Sequence, residues 1–198
     1  MKIVALITTA LVALVTAMPA AAHEELFATH LNGATEIPPN ASPGTGDALV
    51  TVDFDLLTMR VQVDFAGLLG LTTASHIHCC TATPGSANVG VATQLPSFAD
   101  FPLGVTAGSY DHTFDMALAS SYNPAFVTAQ GGLSNAFNAL IGGMETGNAY
   151  LNIHTSVFPG GEIRGLLGPV PEPETYALFG VALALAASVT LLRRVPMR

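Results

Sequence analysis

The chain has 198 residues, half of them hydrophobic and 10% charged, with six Lys and Arg against fourteen Asp and Glu. This length suits one ordinary domain with short appendages, and the charge fraction falls below the roughly 25% usual for soluble domains. The acidic balance argues against nucleic acid as a partner, because that binding needs Lys and Arg to displace counterions.

Part of the apolarity sits in two end segments. In residues 1–22, Lys2 forms a short basic region and Ile3 to Met18 an apolar run broken only by Thr8, Thr9 and Thr16. Ala20-Ala21-Ala22 then places small residues where a signal peptidase reads, with cleavage expected after Ala22. A buried or transmembrane helix is the alternative, and the immediate switch to His23-Glu24-Glu25 favours export.

The second segment is 170–198. Val170-Pro171-Glu172-Pro173-Glu174 leads into an apolar run from Tyr176 to Leu192, closed by Arg193-Arg194. Seventeen residues is the lower limit for crossing a bilayer as a helix. Tyr176 suits one interface and the arginines the cytoplasmic side. A helix packed on the domain would need a polar face, and this run offers only Ser188 and Thr190.

The tail resembles a PEP-CTERM sorting signal: Pro171, Glu172 and Pro173, a short apolar helix, then arginines, in that order. The resemblance implies a Gram-negative host and an exosortase-type processing enzyme. It implies anchoring in the inner membrane before processing, then residence in the cell envelope or an exopolysaccharide matrix.

Between the ends lies one domain, 23–169. Its only basic residues are Arg60 and Arg164, set against twelve carboxylates, a net charge of −10 with histidine neutral. Such a surface fits acidic soluble behaviour or affinity for cations.

Residues 26–32 read as a first strand, followed by a loop over 40–46. Ala48, Val50, Val52 and Phe54 alternate with Leu49, Thr51 and Asp53; Met59, Val61, Val63 and Phe65 alternate with Arg60, Gln62 and Asp64. Period two with β-branched and aromatic residues predicts a half-buried antiparallel hairpin. A strand follows over 73–78, then a Gly/Pro/Ser/Asn loop over 84–90 and weaker strands over 89–95 and 109–116. Residues 134–141 read as a short helix with Ser134 as N-cap and Gly142-Gly143 as its stop. A final strand pair covers 149–155 and 162–167, with a turn over 158–161. Many short strands between turns predict a mainly all-β sandwich or barrel.

Three strings stand out: Leu31 to Pro39 early, Ala74-Ser75-His76-Ile77-His78 in the middle, and Tyr150 to Thr155 with Gly160-Gly161-Glu162-Ile163-Arg164-Gly165 late. In this order and spacing they resemble the CHRD domain, the module repeated in chordin and found singly in bacterial secreted proteins. The resemblance spans roughly Leu26 to Leu167. It implies an immunoglobulin-like antiparallel β structure and no established catalytic activity. Cys79-Cys80 departs from the glycine-bearing turn that commonly follows the paired histidines.

His76 and His78, two apart on a strand, point to one face and are roughly 6–7 Å apart along it. Such a pair can share copper or zinc. Cu,Zn superoxide dismutase uses one on a β-sandwich, a local analogy for site and fold. His154 becomes a third ligand if its strand lies beside theirs. The plainer alternative is a satisfied polar cluster, with Asn152 and Thr155 as hydrogen-bond partners. Cys79 and Cys80, the only cysteines, leave a vicinal disulfide, a bond between chains, or soft ligands beside the histidines, with two idle thiols in a turn as the plainer alternative. Glu162 and Arg164 read as an ion pair or hydrogen-bonding corner rather than acid–base machinery.

The expected function is therefore a non-enzymatic, exported structural or binding module. The alternative is a copper- or zinc-binding protein using His76, His78 and His154, with or without Cys79 and Cys80. A redox enzyme at such a copper site is a weaker third.

Overall fold

The computed structural model describes residues 23–171. The expected signal peptide, the helix over 176–192 and most of the sorting motif (Glu172 and Pro173, but not Pro171) lie outside the described residues. Among the described residues, no helix is long and apolar enough to cross a membrane.

Eight strands make one antiparallel sheet that curls into a half-barrel, so the sandwich-or-barrel expectation is met in its barrel form. In chain order they are β1 (Glu24–Asn32), β2 (Thr45–Asp53), β3 (Thr58–Ala66), β4 (Thr72–His78), β5 (Gly108–Asp115), β6 (Tyr150–Thr155), β7 (Ile163–Leu166) and β8 (Gly168–Pro169). The sheet order is β4-β6-β7-β1-β2-β3-β5, with β8 paired to β1.

The predicted hairpin is β2–β3, with Val50 opposite Val61 and Val52 opposite Met59, all four buried. Its apolar set joins Phe27 and Leu31 of β1 and Phe114 of β5 in the core. Asp53 turns the chain by accepting the Asp55 and Leu56 backbone N–H groups at 2.9 and 2.8 Å. One-residue slippage would put this whole set in water, so burial fixes the register.

Two helices cover part of the core. The first, α1 (Pro124–Gln130), was not legible as a helix among the turn residues. Asn123 caps it by accepting the Ala125 N–H, and Pro124 supplies the first helical position. The second, α2 (Leu133–Glu145), corrects the expected 134–141 helix at both ends. Gly132 rather than Ser134 is its N-cap, and it runs through Gly142-Gly143 to Glu145. Buried Ala136, Phe137, Leu140, Ile141 and Met144 form its apolar stripe. Gly143 belongs inside because a Cβ there would run into the sulfur of Cys79. The expected strand over 89–95 is also corrected. Only isolated bridges occur, at Val91 opposite His78 and Thr93 opposite Tyr122. This segment instead lies along the end of β4, where the Ala92 N–H donates to the Ile77 carbonyl at 2.9 Å.

Glu162 ties the loops together. It is fully buried just before β7. Its carboxylate accepts from the Ser42 and Thr155 hydroxyls, both at 2.6 Å, and from the Leu69 and Gly70 N–H groups at 2.5 and 3.1 Å. Burial raises its pKa, but these four bonds outweigh that and hold it below the ordinary value. The hydrogen-bonding-corner reading therefore holds for Glu162, and its partner is not Arg164. Glu162→Gln is expected to cost about 2 kcal/mol, the worth of charge-assisted bonds lost from a buried site. Urea unfolding measures this, and an unchanged midpoint would show that the four bonds contribute nothing net.

Candidate metal centre

Strand β6 lies antiparallel beside β4, with Ala74 opposite His154, His76 opposite Asn152 and His78 opposite Tyr150. Directly opposed residues share a face, and side chains alternate along each strand. His76, His78, Asn152 and His154 therefore project from one side, while Ile77, Leu151 and Ile153 enter the core on the other. The next strand adds Arg164 opposite Asn152.

The three imidazoles meet. Ring centroids are 5.7 Å apart for His76–His78, 5.3 Å for His76–His154 and 6.1 Å for His78–His154. One ring nitrogen from each lies within 4.8 Å of the other two. Three bonds of about 2.0–2.1 Å to a tetrahedral zinc would set these nitrogens about 3.4 Å apart. The triangle therefore closes on an ion by shortening its edges by up to about 1.4 Å.

The outer nitrogens are tied to loop carbonyls, which can only accept. His76 Nε2–H donates to Pro96 O at 2.6 Å, His78 Nδ1–H to Val89 O at 2.8 Å, and His154 Nδ1–H to Pro159 O at 2.9 Å. Each neutral ring then carries its lone pair on the other nitrogen. Those nitrogens, His76 Nδ1, His78 Nε2 and His154 Nε2, are buried without a partner. The bonded nitrogens reach three separate loop positions. Asn152 and Thr155 do not serve the imidazoles as expected; Thr155 donates to Glu162.

Burial holds all three histidines below the ordinary imidazole value, against the opposing carbonyl bonds. His78 is pushed down to about 4. Its ring stacks on Tyr150, 4.7 Å between centroids and 6° from parallel. The rings are thus neutral and ready as ligands near pH 7.

Cys79 and Cys80 fall outside this group and are a correction to the wider ligand set. They form a disulfide with each other. Their sulfurs contact the Ala139 carbonyl of α2 and crowd Gly143. Alternation along the chain past His78 turns Cys79 toward the core, away from the imidazoles. Disulfide sulfur is also no thiolate ligand.

Arg164, 1% exposed, pairs with buried Glu36 at 2.9 Å and also donates to Asn88. Burial raises the Glu36 carboxyl, against the lowering pull of Arg164 and its hydrogen bonds. The guanidinium carbon lies 3.9 Å over the Tyr150 ring. Gly161, at φ 127°, permits this packing, because a side chain there would collide with Glu36 and Asn152. Sequence reasoning singled out Arg164 but not Glu36 as its partner.

These pKa shifts give a pH dependence. A folded-state histidine pKa below its unfolded value contributes stability that is complete above about 6.5 and is lost as pH falls toward about 4. For His78 alone the loss is about 3 kcal/mol. Urea unfolding of metal-free protein from pH 7 to pH 4 is expected to show this fall. His78→Phe, which keeps an aromatic stack on Tyr150, is expected to flatten it. A slope unaffected by that variant contradicts the assignment.

Among known proteins, the CHRD domain matches residues 27–167. No curated protein and no solved structure matches the chain. The match covers all eight strands except the first residues of β1 and the short β8, and it contains His76, His78, His154, Glu36 and Arg164. The chain belongs to the CHRD-domain family.

Proposed function

We propose that this chain is an exported CHRD-domain protein that binds one copper or zinc ion through His76, His78 and His154. Two observations carry this reading: one ring nitrogen from each of three imidazoles lies within 4.8 Å of the other two, and each ring keeps one buried nitrogen without a partner while a backbone carbonyl holds the other. An unpartnered buried acceptor costs about 1–3 kcal/mol, and three of them together need a compensating partner. A metal ion is a partner that accepts three lone pairs at once. Outer-nitrogen bonds of this kind fix ring orientation in metal sites. An all-nitrogen donor set suits zinc and copper rather than calcium or magnesium, which take oxygen.

The protein acts on this reading as a binding module in the bacterial envelope, with no catalytic step assigned to it. The ends support the location. Residues 1–22 carry the pattern of a signal peptide, and Pro171, Glu172 and Pro173 with the following apolar run and arginines resemble an exosortase substrate. The module would be held at the inner membrane before processing and would reach the exopolysaccharide-bearing surface after it. A purely structural module explains the fold but leaves the three unpartnered nitrogens without a purpose.

Purified protein stripped of metal and titrated with zinc, or with copper(I) under reductant-compatible conditions, is expected to take up one equivalent. At a free metal concentration of 1,000 Kd the gain is about 4 kcal/mol, on the order of 10 °C in Tm for a domain this size. His76→Gln and His154→Gln should each abolish most of that gain while leaving the circular dichroism of the β domain unchanged. Protein that binds no metal, or histidine variants that bind as well as the parent, would overturn the assignment.

A further inference from the structure

We propose that Arg164 and the cleft beside it form a subsite for a small oxyanion that completes the coordination of the metal held by His76, His78 and His154. The inference rests on the metal reading above and adds the fourth ligand to it.

Three neutral imidazoles leave the charge of a bound divalent ion uncompensated in a buried site. They also leave a tetrahedral ion one position short, the position where three-histidine sites take an exogenous ligand. Arg164 projects from the same face of the sheet as the imidazoles. It lies across β6 from His76 in the register Arg164–Asn152–His76. Its guanidinium covers Tyr150, which stacks on His78.

Arg164 has donors to spare. Nη2 is engaged by Glu36 and Asn88, whereas Nε and Nη1 are buried with no partner. Buried guanidinium donors are seldom left unmade, and their geometry matches an oxyanion. Glu36 balances the guanidinium charge, so the metal supplies the net attraction and Arg164 the orientation. Asn152 Oδ1 is also buried without a partner, which favours an oxyanion that carries a hydrogen, such as hydrogencarbonate, over one that does not.

A route in exists. A cleft of about 450 Å³ is lined by Glu36 to Asn40, Asn88 and Val157 to Gly161. It thus includes both partners of Arg164 and also Pro159, whose carbonyl holds His154. A few-atom anion fits this space easily.

The test uses the cobalt(II)-loaded protein, whose visible spectrum reports coordination, titrated with hydrogencarbonate and with formate at constant ionic strength. Metal content is measured on every sample. A saturable spectral change is expected with both, tighter for hydrogencarbonate, and weakened about tenfold or more in Arg164→Gln. Gly160→Phe gives a second line should that variant not fold. A Cβ at Gly160 meets nothing within 4 Å, so a side chain there fits and narrows the cleft. It should weaken both anions comparably. A full cobalt complement with no anion response overturns the subsite and leaves the three-histidine reading intact. So does an anion response equal in the parent and in every folded variant. Failure to bind cobalt, zinc or copper overturns both.

Discussion

Three backbone carbonyls, those of Val89, Pro96 and Pro159, each accept the proton of a different imidazole. That constraint decides which nitrogen of His76, His78 and His154 is left with a buried lone pair. The carbonyls belong to loops, not to the ladder. They are available because the segment after β4 makes only isolated bridges and because the turn before β7 folds back over β6. Were residues 89–95 a regular strand, Val89 would spend its carbonyl on a neighbour and His78 would be free to rotate.

The sheet gives these loops a fixed base. Pairing of β4 with β6 sets His154 diagonally beside His76, and pairing of β6 with β7 brings Arg164 into the same face. The two polar residues of the Glu162-Ile163-Arg164 string then divide the work. Glu162 gathers loops through Ser42, Leu69, Gly70 and Thr155. Arg164 covers Tyr150 and holds Glu36. Between them Ile163 enters the core, fully buried. Short period-two strands thus make a half-barrel whose apolar face is the core and whose polar face, at one end, is a roofed site.

Much of this was legible in the chain. Period-two alternation gave the β2–β3 hairpin, because one face of it is packed and the other wet. The same rule placed His76 and His78 together, and separated His154 from Ile153. Their meeting depended on which strands pair, a long-range choice that local pattern does not carry. The helix α1 hid behind Asn123-Pro124, which serves equally as a turn and as a cap with first helical residue. Gly142-Gly143 looks like a stop for α2, whereas Gly143 is needed for close approach of the disulfide. Cys79 and Cys80 followed the histidines in sequence and therefore looked like co-ligands, yet alternation past His78 sends Cys79 to the opposite face. The Glu36–Arg164 pair joins distant segments with no local signal at all.

The proposed centre is three imidazoles from β4 and β6 taking one ion between them. X-ray absorption at the metal edge of the zinc- or copper-loaded protein reads that arrangement directly. Three imidazole nitrogens at about 2.0–2.1 Å, with no sulfur in the shell, is the predicted result. A sulfur scatterer at about 2.3 Å, or a shell holding a single imidazole, would contradict it.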